Sequence, residues 1–236
     1  MPTAPAAPAR FAAHHVQLLR GAFAALAAVM ITFSPDHSAS VGLSVFSGFA
    51  IATGLVWGVA AWLVHPAGSR GLPIGMGALC IVAGMMGGIV PLRSVNLFFA
   101  VVIGWALATG LVEAIAGWRG LRDVRRSDGA DTTDTGEHPV ASRAAARDAL
   151  TVGIITVALG IGLLVVPGGY VLDYYIPDAG QTFTLTGIAI AVGIFGGYAA
   201  IIAVYLAIAG LSPRREALAP PQASAATSAP RPEEGA

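Results

Sequence analysis

The charged residues of this chain leave two long segments almost free of charge. Residues 16–118 and 151–211 hold only seven of the 26 Arg, Asp and Glu side chains, and the chain contains no Lys. Charged residues make up 11% of the 236 residues, against about 25% in an ordinary soluble domain. A soluble fold of this size cannot bury so much apolar surface. The sequence therefore excludes a soluble enzyme, a nucleic-acid-binding protein and a disordered chain, and it predicts an integral membrane protein.

Six apolar stretches are long enough to cross a bilayer as helices. A hydrocarbon core about 30 Å thick requires about 20 apolar residues per helix. The predicted spans are 16–33, 41–64, 72–92, 95–118, 150–172 and 182–211. A cleaved signal peptide is the alternative interpretation of the first stretch, but the internal repeat described below favours a helix that is retained.

The placement of arginine predicts the orientation of the spans. If the N-terminus is cytoplasmic, twelve of the 13 arginines lie on the cytoplasmic side, and Arg93 alone lies outside. This bias matches the positive-inside rule, so both termini are expected to be cytoplasmic. The formal net charge of zero provides no bulk attraction to nucleic acid. The expected partner is the lipid bilayer, and a homo-oligomer is left open.

The chain contains an internal repeat. Residues 21–62 align without a gap on residues 77–118, with 16 of 42 positions identical, and the five residues ATGLV occur at 52–56 and again at 108–112. The last two predicted helices follow the same plan less closely. The predicted fold is therefore an all-α integral membrane bundle of six transmembrane helices, built from three parallel helical hairpins.

Small residues spaced by four recur in the second helix of each predicted hairpin. They line one face of a helix and allow close backbone approach in lipid, where hydrophobicity does not drive helices together. Gly54, Gly110 and Gly193 are the expected packing positions. Helix packing is favoured over contact with a substrate as the role of these glycines.

The repeat and the charge distribution together predict the domain organisation. The first two hairpins occupy residues 16–118, as 16–64 and 72–118, and the third occupies 150–211. A charged cytoplasmic linker covers residues 119–149. Two cytoplasmic tails, 1–15 and 212–236, are expected to be disordered because of their Pro- and Ala-rich, low-complexity composition.

Glu113 is the one carboxylate well inside a predicted span, and it replaces Trp57 of the first repeat. An ionisable group inside a membrane is a functional candidate by default. Arg20 lies at a similar depth at the start of the first span, so an ion pair between the two that ties two hairpins together is the favoured interpretation. There are two alternatives: Glu113 couples to a proton or ion, or its side chain only snorkels to the membrane surface.

The outer loops carry a second set of candidates. Asp36, His37, Asp173 and Asp178 are titratable and are predicted to lie outside, where they could respond to external acid. Neighbouring tyrosines are explained as interfacial anchors. Cys80 stands alone in an apolar run. The motifs of common hydrolases and metalloenzymes do not occur, so we expect no enzyme activity, metal or cofactor.

The repeat resembles a known family. The segment Leu19-Arg20-Gly21-Ala22 leads into an apolar helix with a proline near its end, and a second helix runs from Gly104 to Trp118 with the sequence GWALATGLVEAIAGW. This pattern is similar to that of the HdeD family of short-repeat membrane proteins. The resemblance implies a six-helix bacterial inner-membrane protein without a settled molecular activity, linked through its namesake to acid resistance. A small transporter or channel, with Glu113 as the coupling group, is the alternative.

Overall fold

The structure is a computed structural model that describes residues 13–129 and 138–212. Six α-helices and two β-strands form the described part of the chain. They are α1 (Ala13–Thr32), α2 (Ala39–Leu63), α3 (Gly71–Gly88), α4 (Val95–Gly129), α5 (His138–Val165), β1 (Val171–Ile176), β2 (Gln181–Thr186) and α6 (Gly187–Leu211). Of the tails predicted to be disordered, 1–15 and 212–236, residues 1–12 and 213–236 lie outside the described part, whereas residues 13–15 belong to α1.

All six helices are long and apolar enough to cross a membrane. Each follows one of the six predicted stretches, which indicates a multi-pass membrane protein. Local signals define several ends. The Ser38 hydroxyl accepts a hydrogen bond from the Val41 amide at the start of α2, and Thr186 caps α6 in the same way. α5 ends two residues before Pro167, because proline cannot continue a helical hydrogen-bond ladder.

The segment predicted as a linker between the second and third hairpins is partly helical. α4 continues to Gly129 and α5 already begins at His138, so much of 119–149 is helical. The extended helices remain in contact, because Gly120 of α4 lies against Ala146 of α5: a Cβ at Gly120 would lie 3.1 Å from the Ala146 Cβ. The charges that mark the linker as polar do not oppose helix formation, since Arg is a good helix former.

The all-α prediction is wrong in the loop between α5 and α6. β1 and β2 form an antiparallel hairpin in which Val171 pairs with Thr186 and Ile176 pairs with Gln181. Residues 182–186, predicted as the start of the sixth span, alternate Thr with Phe and Leu, the two-residue period of a strand. β-Branched threonine also favours a strand over a helix. We refer to the end of the bundle that carries this β-hairpin as the hairpin end.

The most extensive helix packing joins α1 with α6, α2 with α3, and α4 with α5. Two of these contacts have glycine on both sides. A Cβ at Gly54 would lie 2.8 Å from the Gly77 carbonyl oxygen, and a Cβ at Gly110 would lie 3.0 Å from the Gly153 carbonyl oxygen. The absence of side chains at these crossings lets the helix backbones touch, as in other small-residue interfaces in membranes.

Gly193 does not share this role. A Cβ at Gly193 would meet nothing within 4 Å, so the prediction that this glycine packs against a helix is wrong. α6 instead contacts α1 through Gly196, next to Ile31, and through Ala203, next to Gly21. The error has a physical cause. α6 is apolar on all sides, so its sequence pattern does not reveal which of its small residues face the bundle.

Candidate functional site

The buried ion pair expected from the sequence is formed. Arg20 of α1 donates two hydrogen bonds to Glu113 of α4, from Nη1 to Oε1 at 2.9 Å and from Nη2 to Oε2 at 3.2 Å. The side chains retain only 12% and 7% of their exposure. This bidentate arrangement suits the planar guanidinium fork and satisfies both carboxylate oxygens. Two helices that are far apart in the sequence are therefore tied together inside the bundle.

A third helix contacts the same arginine. The Arg20 guanidinium carbon lies 4.7 Å from the centroid of the Trp57 ring in α2, within the range of a cation–π interaction. Trp57 and Glu113 occupy matching positions of the sequence repeat, 56 residues apart. The two repeats therefore supply Arg20 with different partners, a ring face from one and a carboxylate from the other.

The ion pair borders a cavity of about 20 Å³ in the middle of the bundle. α2, α4 and α6 each line it with three residues spaced by four. These are Phe49, Thr53 and Trp57; Trp105, Thr109 and Glu113; and Tyr198, Ile202 and Leu206. The α4 residues lie 56 positions after those of α2, and the α6 residues lie 93 positions after those of α4. The three helices thus present the same face to one central space.

Hydrogen bonds hold most of the polar side chains around this cavity. The Thr109 hydroxyl donates to the Trp105 carbonyl oxygen at 2.7 Å, and the Trp105 indole N–H donates to Cys80 Sγ at 3.4 Å. Thr156 and Tyr198 share a hydrogen bond of 3.0 Å between their hydroxyl groups. Three other buried atoms have no partner among the described residues, namely Arg20 Nε, Thr53 Oγ1 and Trp57 Nε1.

An aromatic cluster closes the cavity towards the hairpin end. It consists of Phe46 and Phe49 of α2, Trp105 of α4, and Phe195 and Tyr198 of α6. Phe46 and Trp105 meet edge to face with ring centroids 5.3 Å apart, a favourable aromatic geometry. Phe46 and Phe195 are fully buried. The interior is therefore polar around the ion pair and aromatic beyond it.

Asp148 forms a second polar contact at the opposite end of the bundle. Its carboxylate in α5 accepts hydrogen bonds from Gln17 Nε2 of α1 at 2.8 Å and from the Tyr205 hydroxyl of α6 at 3.0 Å. Gln17 lies one helical turn before Arg20, on the same face of α1. Asp148 was assigned to the linker from the sequence, so its role was missed.

The predicted outer-loop group does not form one cluster. Asp36 accepts hydrogen bonds from the amide and hydroxyl of Ser38 in the turn between α1 and α2. Asp173 of β1 accepts a 2.6 Å hydrogen bond from Thr184 of β2. Asp178 lies in the short turn between the strands. Among the described residues, no hydrogen bond or ion pair joins His37 to these carboxylates, and no three His, Cys, Asp or Glu side chains form a metal-binding group.

Two of the cavity-lining residues that were not predicted could have been identified from the repeat in the sequence. Thr53 and Thr109 belong to the repeated ATGLV segment, and both line the central cavity. A polar residue conserved between two copies of an otherwise apolar segment indicates an interior position. Thr156 and Tyr198 come from the diverged last third of the chain, where no comparable signal exists.

Comparison of the chain with protein-family models, curated proteins and solved structures gives no match.

Proposed function

We propose that the protein is a non-enzymatic bacterial inner-membrane protein of the HdeD-like type that contributes to resistance against acid or other envelope stress. The closed interior carries this proposal. A cavity of about 20 Å³ has room for about one water molecule, and the aromatic cluster lies directly beyond it. Such an interior suits a bundle that resists deformation better than one that conducts a solute.

The packing of the helices supports the proposed arrangement of three parallel hairpins. The second helix of each hairpin packs on the first helix of the next, as α2 with α3, α4 with α5, and α6 with α1. A closed ring of three such contacts is what a pseudo-threefold axis along the membrane normal would produce. The matching triplets that line the cavity favour the same arrangement.

The orientation, with both termini cytoplasmic, rests on the arginine bias. A single cysteine placed at Asp36 or at Ser212, in a Cys80→Ala background, tests it. A membrane-impermeant maleimide added to intact cells should label the cysteine at position 36 and not the one at 212. The reverse labelling would contradict the proposed orientation.

Deletion of the gene tests the proposed role. The mutant should grow normally at neutral pH and lose viability at acid pH or under membrane-active detergents, and the wild-type gene should restore survival. Arg126→Ala, which alters an exposed ion pair with Asp123, is a control that should restore survival fully. Survival of the deletion mutant equal to that of the parent strain under every stress would refute the role.

A proton-coupled transporter remains the second candidate, because polar groups extend from one end of the bundle to its centre. Asp148, Gln17 and the Arg20–Glu113 pair follow one another along this path. The purified protein in liposomes, with a pH-sensitive dye inside, distinguishes the two candidates. Proton flux that exceeds that of empty liposomes and is lost in Glu113→Gln would favour the transporter, whereas no flux favours the structural role.

A further inference from the structure

An apolar cleft separates α3 from α4 on the outer surface of the bundle. Its volume is about 460 Å³, and the side chains that line it are apolar along its whole length. Leu79 and Met86 form one wall, Leu97 and Ala108 form the other, and Trp105 lies at the base. Both helices are candidate membrane spans, so the cleft opens towards lipid and not towards water.

The length of the cleft matches one leaflet of a bilayer. It runs along α4 from Leu97 to Ala108, which corresponds to about 16 Å at the rise of an α-helix. The hydrocarbon core of a bilayer is about 30 Å thick, so one leaflet contributes about half of that. A single hydrocarbon chain that starts at the hairpin end would therefore reach Trp105.

Glycine keeps the cleft open. A Cβ at Gly104 would meet nothing within 4 Å, so a larger side chain at this position would project into the space. α1 and α2 enclose a companion cleft whose nine lining residues all lie 56 positions before residues of the first one. That cleft measures about 190 Å³ and has Phe23 where the larger cleft has Leu79.

A basic residue lies near the end of the larger cleft that Met86 lines. Arg93 belongs to the loop between α3 and α4, and its Nε donates a hydrogen bond to the Gly87 carbonyl oxygen at 3.2 Å. Gly87 is adjacent to Met86, which lines the cleft at this end. Neither Nη group of Arg93 makes a hydrogen bond to the described residues. A guanidinium with two free NH₂ groups is well suited to bind a phosphate.

We propose that the α3–α4 cleft binds one acyl chain of a membrane phospholipid, and that Arg93 holds the phosphate of the same molecule. The cleft supplies apolar contact over the length of one leaflet, and the arginine supplies the complementary charge near its end. Apolar walls with one placed polar group are typical of ligand sites. The proposal is independent of the stress role.

Thermal unfolding of the purified full-length protein in detergent tests the site. The probe is dioleoylphosphatidylglycerol, and dioleoylglycerol, which has the same chains and no phosphate, is the comparison. A ligand that binds the folded state raises Tm. The phospholipid should raise the Tm of the wild-type protein more than dioleoylglycerol does. Arg93→Gln should reduce the effect of the phospholipid to that of dioleoylglycerol.

Two glycine variants separate the cleft from the rest of the lipid-facing surface. Gly104→Leu should abolish the rise in Tm, whereas Gly193→Leu, at an equally open glycine on α6, should retain it. Ala108→Leu is the substitute if Gly104→Leu does not fold. Equal rises in the cleft variant and the Gly193→Leu control would overturn the site. Equal effects of the two lipids on the wild-type protein would overturn the contact with phosphate.

If neither cleft variant folds, native mass spectrometry of the wild-type protein decides. Retention of one phospholipid that is lost in Arg93→Gln supports the proposal, and its absence from the wild-type protein overturns it.

Discussion

Arg20 and Glu113 form a bidentate ion pair inside the bundle, with N–O distances of 2.9 and 3.2 Å, although they lie 93 positions apart in the sequence. The pair joins α1 to α4, and the Trp57 ring of α2 covers the same guanidinium. Each partner compensates the charge of the other, because the two side chains retain only 12% and 7% of their exposure to water. Removal of either partner therefore leaves a buried charge without compensation.

Replacement of one partner should destabilise the protein more than replacement of both. Arg20→Gln leaves a buried carboxylate and Glu113→Gln leaves a buried guanidinium, and each should cost about 3–5 kcal/mol of unfolding free energy. The double variant Arg20→Gln/Glu113→Gln should recover part of this loss. Equilibrium unfolding in detergent measures the effect. Arg126→Ala, which alters a pair that is more than two-thirds exposed, is the control and should change stability little. Additive losses in the double variant would show that the pair is not coupled.

Alanine at Gly54 or Gly110 should destabilise the bundle. The added methyl group would lie less than 3.0 Å from atoms of the neighbouring helix, so the helices must move apart, at a cost of about 1–3 kcal/mol. Gly193→Ala is the matched control. It adds the same methyl group to open space and should be neutral or stabilising by up to about 1 kcal/mol through helix propensity. Thermal unfolding compares the three variants, and equal effects would contradict the packing described for α2 and α4.

Thr53→Val and Thr109→Val should differ, although the two threonines occupy matching positions of the repeat. The Thr109 hydroxyl donates to a carbonyl oxygen, so its loss should cost about 1 kcal/mol. Thr53 Oγ1 is buried without a partner among the described residues, so its replacement by an apolar group of similar shape should be neutral or stabilising. A loss at Thr53 as large as that at Thr109 would show that the Thr53 hydroxyl is hydrogen-bonded.

Tyr205→Phe should loosen the contact of α5 with α6. The variant removes one of the two hydrogen bonds to the Asp148 carboxylate, with an expected loss of about 1.5–3 kcal/mol because the acceptor is charged. Hydrogen exchange measured by mass spectrometry should increase in the first turns of α5 that face α6. Tyr175→Phe, on the exposed surface of β1, is the control and should leave exchange unchanged. Identical exchange in both variants would mean that Asp148 does not hold α5 in place.

The sequence predicts the helices well because their apolar composition is determined by the bilayer. The bilayer does not determine which side of α6 faces the interior of the bundle. Gly193 was therefore assigned to the interior, whereas Tyr198 and Ile202 line the cavity. The ion pair was predictable, because an isolated carboxylate inside a membrane needs a partner and Arg20 was the one arginine inside a neighbouring predicted span.

The hairpin and Asp148 were not predicted for a different reason. The apolar residues of β1 and β2 continue the hydropathy of the spans on either side, so average hydrophobicity does not separate strand from helix. Only the alternation of Thr182, Phe183 and Thr184 does so, and that signal is short. Asp148 lies at the edge of a charged segment, where one more carboxylate is unremarkable until the fold places Gln17 and Tyr205 beside it.

Trp105 lines both the central cavity and the α3–α4 cleft. A single indole thus separates the lipid-facing cleft from the polar cavity beside the ion pair. Trp105 is therefore the side chain through which a change in the lipid-facing cleft would be transmitted to the polar cavity beside Arg20 and Glu113.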